Sequence, residues 1–176
     1  MNSLKSITAF AAAALLCMPA FAEDKMSNDD QSAMKQLAQD NVNEVAAGKM
    51  AAGKAQSPDV KKFAQKMVDD HGKMLQDLKT LAKKKDVNLP ESTSVKDMAQ
   101  GKLMERKSGA EFDKEFMDHM VKDHEKALQE VKNVAAKAKD PEFKAAAQQA
   151  AGKIQEHLQL AQRLSKSAAA GSSSSK

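Results

Sequence analysis

The sequence predicts an all-α protein built as a helical bundle, and three observations carry that reading. Ala, Lys, Gln, Glu, Met and Leu, all strong helix formers, dominate the 176 residues, while β-branched residues are too sparse to furnish a sheet. Helix-start signals recur along the chain. Between them, apolar residues recur at alternating steps of three and four, the period of one face of an α-helix.

The first segment is an exception. A lone Lys5 precedes an apolar run from Ile7 to Met18, and Pro19-Ala20-Phe21-Ala22 follows. Small residues at Ala20 and Ala22 have the Ala-x-Ala shape of a signal-peptidase site, so residues 1–22 are expected to be a cleaved export leader and the protein periplasmic. A cysteine at position 17 raises a lipoprotein alternative, but the bulky Leu16 stands where lipid attachment wants a small residue. The run is shorter than the roughly 20 residues needed to span a bilayer, and no later segment approaches that length. A transmembrane segment is therefore not expected, although peripheral envelope association is open. Cys17 is the one cysteine, so cleavage leaves a chain without disulfides, thiolate metal sites or cysteine nucleophiles.

Four long helices follow. Ser57-Pro58-Asp59 reads as an N-cap, a proline at the first helical position and an acid in the first turn, and Asp140-Pro141-Glu142 repeats the device. Ser108-Gly109-Ala110-Glu111 has the spacing of a capping box. These starts predict helices over roughly 28–54, 58–85, 111–138 and 141–166. The second carries Val60, Ala64, Met67, His71, Met74, Leu78 and Leu81 on one stripe. The third carries Phe112, Phe116, Met120, His124, Ala127, Val131 and Val134, and the fourth Phe143, Ala147, Ala150, Ile154, His157, Ala161 and Leu164. The first is weaker: Leu37, Val42 and Val45 mark a face that Gly48 and Gly53 thin. Stripes of this kind leave water only by packing on one another.

The stretch from Asp86 to Gly109 is too long for a hairpin turn and holds a short helical segment around Val95 to Arg106. A crossover of that length lets the third long helix start at the same end as the second, which is the connectivity of a ferritin-like four-helix bundle. The domain is thus read as 23–166, with 167–176, SAAAGSSSSK, as a low-complexity disordered tail. Internal similarity supports two corresponding hairpins. FAQKMVDDHGKML at 63–75 and FMDHMVKDHEKAL at 116–128 share Phe, Met, Val, Asp, His, Lys and Leu at a constant offset.

A formal net charge of +4 arises from interleaved Lys and acids, which favours solubility and does not by itself imply nucleic acid. With six Phe and no Trp or Tyr, the chain has few rings on which bases would stack. No nucleophile–base constellation or cofactor motif is present, so an enzyme is not expected.

The histidines carry the chemistry. His71, His124 and His157 occupy stripe positions, whereas His119 lies about 140° around its helix from His124 and belongs outside. Counting from the turns puts the three stripe histidines at one level, with Asn41 to Glu44 opposite on the first helix. Glu44 is the carboxylate expected there. His71, His124, His157 and Glu44 would suit a divalent metal such as Zn, Cu or Ni, and Met67 and Met120 are candidate accessory thioethers that would favour a soft ion. The alternative is a hydrogen-bonded network of structural histidines in a non-enzymatic envelope-stress or interaction bundle. An acid precedes each histidine (Asp70, Asp123, Glu156). Neighbouring residues point about 100° apart on a helix, so these acids are expected at the polar boundary or against a histidine of another helix.

The words Ser57-Pro58-x-Val60-x-x-Phe63-Ala64-x-x-Met67-Val68-x-Asp70-His71, Gly109-x-x-Phe112-Asp113 and Met120-Val121-x-Asp123-His124, with Glu156-His157, resemble the bacterial domain-of-unknown-function family 4142. The resemblance runs from about Ala33 to Leu164. It implies an exported ferritin-like bundle, periplasmic or outer-membrane-associated, without implying a biochemical activity. Ferritin-like di-iron sites use Glu-x-x-His pairs. Here Val68, Val121 and Ile154 stand three residues before the histidines, so ferroxidase chemistry is not expected.

Overall fold

The computed structural model describes residues 25–173, with side chains to Ala169, and those residues form five helices and no strand. They are α1 (Asn28–Lys54), α2 (Pro58–Lys84), α3 (Val95–Met104), α4 (Gly109–Lys137) and α5 (Pro141–Ser173). The expected leader, residues 1–22, and its expected cleavage site lie outside the described residues. No helix among those residues is long and apolar enough to cross a membrane.

The helix starts follow the expected chemistry with one exception. Ser57 accepts from the Val60 amide and Asp140 from the Phe143 amide. Ser108, by contrast, makes no side-chain cap bond. Glu111 pairs with Lys107 at 2.7 Å instead of closing a capping box, and α4 begins at Gly109 with φ +59°. The last helix continues seven residues past its expected end, so 167–173 are helical where a disordered tail is predicted. Ala168, Ala169 and Ala170 are the best helix formers available and carry the turn onward.

Contacts at the helix ends fix the topology. Asp113, early in α4, accepts from the amides of Gln56 and Ser57 at 2.9 and 2.6 Å. Asp30, early in α1, accepts from the amides of Lys139 and Asp140 at 3.0 and 2.8 Å. Lys85, just past α2, bridges to Asp140 at 2.8 Å. The α1–α2 turn therefore sits at the start of α4, and the end of α2 sits at the start of α5. Two antiparallel hairpins, α1–α2 and α4–α5, lie side by side with α2 parallel to α4, and the 85–108 segment carrying α3 returns along the bundle. That segment is the long crossover.

Gly48 corrects the reading of α1. A Cβ there would stand 2.9 Å from the Ala64 carbonyl oxygen and 2.9 Å from Val68 Cγ2, so the glycine permits close approach to α2 and does not thin the face. The buried side of α1 is Met34, Leu37, Ala38, Asn41, Gly48 and Ala51, and Val42 and Val45 are only half-buried.

The apolar core comes in two bodies. One, around Met34, Leu81, Val131 and Phe143, fills the end near the α4–α5 turn. The other, around Phe63, Met67, Phe112, Phe116 and Met120, fills the end near the α1–α2 turn. Phe63 and Phe116, equivalent in the internal repeat, meet edge to face at 6.3 Å. Between these bodies lies a polar layer of Asn41, His71, His124 and His157, all buried.

Candidate metal centre

The three histidines come from α2, α4 and α5, placed at one depth by their spacing from the helix starts. Their ring centroids are 5.7, 5.1 and 5.6 Å apart. A ring nitrogen of each lies within 4.8 Å of one from each of the others. Among the described residues this is the cluster of His and carboxylate groups able to hold an ion. The level inferred by counting residues from the turns is thus realised.

Each imidazole has one nitrogen engaged by a group that sets its tautomer. His71 Nδ1 lies 2.9 Å from Asn41 Oδ1. The Asn41 amide nitrogen donates to the Leu37 carbonyl at 2.7 Å, which leaves Oδ1 as the acceptor and Nδ1–H as the donor. His124 Nδ1 lies 2.8 Å from the Met120 carbonyl, an acceptor only. His157 Nε2 lies 2.8 Å from Asp70 Oδ2, whose carboxyl also accepts from Lys66 at 2.6 Å. In the neutral ring the other nitrogen then carries a bare lone pair. Those nitrogens, His71 Nε2, His124 Nε2 and His157 Nδ1, are buried without a hydrogen-bond partner. A histidine oriented through its far N–H by a carbonyl or carboxylate is the usual arrangement behind a metal ligand.

Electrostatics keep the rings neutral. Burial, with His157 and His124 close by, holds His71 well below the usual imidazole range. Burial and the neighbouring His157 bring His124 down to about 4 against the pull of the Met120 carbonyl. Burial also lowers His157, although Asp70 opposes it. Burial would raise Asp70, but hydrogen bonds from Lys66 and His157 outweigh it and hold the carboxylate ionised. Neutral imidazole is the ligand form, so these shifts remove proton competition near neutrality.

Glu44 is not brought into the three-nitrogen group. Its residue is half-buried, but Oε2 is shut from solvent without a partner, and it borders a cavity that His71 and His124 also line. Burial, then Asp123, Asp40 and Asp97, raise its pKa to about 8. Met67 and Met120 are fully buried in the Phe63–Phe116 core body, and Met120 serves the centre through its carbonyl. His119 is half-buried and pairs with Asp123 at 3.0 Å. Of the acids before the histidines, Asp70 orients a histidine of another helix. Asp123 pairs with His119, and Glu156 with Lys153. Counting from the turns puts Asn41 to Glu44 at this level, but it is Asn41 and not Glu44 that hydrogen-bonds a histidine of the layer. The spacing of Asn41 from Leu37 and Gly48 is the signal that finds it.

Fold and site together define a helical bundle with a buried cluster of three neutral imidazoles. The chain belongs to the family described as domain of unknown function DUF4142, whose model matches residues 16–164. None of the curated proteins compared with the sequence matches it. Among solved structures, CopM in its Cu(II)-bound form superposes with a TM-score of 0.67 at 19% identity, over 78% of this chain and 96% of CopM. CopM in its Cu(I)-bound form gives 0.65 at 19% identity over the same shares. CopM in its Ag-bound form gives 0.65 at 18% identity. At such identities the likeness is one of fold.

Proposed function

We propose that the protein is an exported, non-enzymatic metal-binding bundle that holds one late first-row transition-metal ion, copper foremost, on His71, His124 and His157. The observation that carries this reading is the set of three buried, unpartnered ring nitrogens whose far sides are already hydrogen-bonded. A purely structural network would engage both nitrogens of each ring, because an unsatisfied buried polar atom costs about 1–3 kcal/mol. Metal–nitrogen bonds of about 2.0–2.1 Å hold two donors no more than ~4.2 Å apart, so an ion draws the rings slightly together. Copper comes first because the bundle shares its fold with CopM structures named for bound Cu and Ag. Glu44, which lines a cavity together with His71 and His124, is the candidate for a further ligand. The leader-like pattern of residues 1–22 supports a periplasmic location, where a metal-stress role fits this centre. The long crossover supports grouping the chain with ferritin-like bundles, without their carboxylate-rich di-iron chemistry.

Chelator-treated protein lacking residues 1–22, titrated anaerobically with Cu(I) against a competing chromophoric chelator, and separately with Zn(II) and Ni(II), tests the reading. One equivalent should disappear in His71→Ala/His124→Ala while circular dichroism shows the helices retained. Absence of stoichiometric binding by all three ions, or binding that survives the double substitution unchanged, overturns it.

A further inference from the structure

A second cavity, about 300 Å³, opens beneath the crossover helix, bounded by α1, α3 and α4. Four methionines, Met50, Met98, Met104 and Met120, line it. Met98 is 49% exposed and the other three are half-buried or buried, so the four methionines span the wall from exposed to buried. Met104 and Met120 belong to the Phe63–Phe116 core body and Met50 packs against it, so the cavity lies where that body meets the crossover helix. The wall also carries carboxylates. Asp123 is held by His119 and Asp97 by Asn43, while Glu44 Oε2 is buried and unpartnered. Glu44 borders the cavity that reaches His71 and His124 as well, and the Met120 carbonyl orients His124. The two spaces therefore adjoin.

We propose that this cavity is a second metal site, selective for a soft monovalent cation such as Cu(I) or Ag(I), with the thioethers of Met50, Met98, Met104 and Met120 as donors. Thioethers prefer soft ions over Zn(II), and the Asp97 and Asp123 carboxylates in the wall supply negative field that draws a cation in. The site stands whether or not the histidine centre binds metal. The test is an Ag(I) titration of protein lacking residues 1–22, labelled at the methionine methyls, with excess Zn(II) present to occupy any imidazole site. Methyl resonances of the four cavity methionines, assigned by single Met→Leu changes, should shift at one equivalent. Those of Met34 and Met67, packed in the core, should stay in place. Met50→Leu/Met98→Leu should weaken Ag(I) binding at least tenfold and leave Zn(II) binding as it was. Unmoved cavity methyls, equal shifts at Met34 and Met67, or unchanged Ag(I) affinity in the double variant would each overturn the proposal. A failure of Cu(I), Zn(II) and Ni(II) alike to bind at the imidazoles overturns the histidine centre and leaves this site standing.

Discussion

Acidification of the metal-free protein offers a test of the buried layer that needs no ligand. In the unfolded chain a histidine protonates near 6.5, whereas native His71 stays neutral well below that and native His124 to about 4. Their stabilising contribution is complete above 6.5 and is lost as pH falls from there toward the native values. The slope is up to about 1.4 kcal/mol per pH unit per group. Glu44 acts in the opposite sense: its native carboxyl keeps the proton to about 8 and its unfolded one releases it near 4.5. Its contribution is complete below 4.5 and is lost as pH rises through 8. Falling from pH 8 to 6.5, only Glu44 acts among these groups, and stability should rise by about 2 kcal/mol. From 6.5 to 5, His124 alone about offsets the carboxyl's gain, and the further loss at His71 makes stability fall. Stability should therefore peak near pH 6.5. Urea unfolding of chelator-treated protein at constant ionic strength measures the curve. Glu44→Gln should remove the rising limb, and His124→Gln should flatten the falling one. A curve that is flat or still rising from pH 6.5 to 5 would refute the claim that the native imidazoles resist protonation.

Other outcomes follow from single contacts. Gly48→Ala forces a methyl to 2.9 Å from a backbone oxygen. Overpacking of about 1–3 kcal/mol should exceed the ~1 kcal/mol gained in helix propensity, giving a lower thermal midpoint. Gly53→Ala, with nothing within 4 Å, should instead stabilise by about 0.4–1 kcal/mol. Asp70→Asn weakens the hold on His157 and should reduce affinity for metal at the histidine centre about 10–100-fold, with little change in the circular dichroism spectrum. Asp30→Ala strips the partner from two backbone amides at the α4–α5 turn and should cost about 2–4 kcal/mol in urea unfolding. Midpoints unchanged by Asp30→Ala would show that the turn is held by other contacts.

The helices and their stripes were readable because burial repeats every three or four residues and because Ser57-Pro58 and Asp140-Pro141 mark helix starts chemically. The convergence of His71, His124 and His157 was readable by counting from those starts. Two kinds of information were not. Gly48 looks like a weakness until the Ala64 carbonyl is known to press against it, since close approach is a property of two helices. Likewise Ser108 and Glu111 satisfy a local cap pattern, but Lys107 competes for the carboxylate and α4 starts by another route. The tautomers were illegible for the same reason. Asn41 and Asp70 set them from other helices, and no spacing within α2 or α5 reveals that.

The polar layer between the two core bodies has a consequence apart from any ion. Were one hairpin to slide along the other by a single helical turn, Met67 or Met74 would enter the layer and an imidazole would be driven into hydrocarbon. Asp70 would then lose His157, its partner in the other hairpin, at a cost that apolar contacts, being indifferent to position, do not recover. The histidines thus act as a positional key, turning a bundle of similar apolar stripes into one with a single axial alignment.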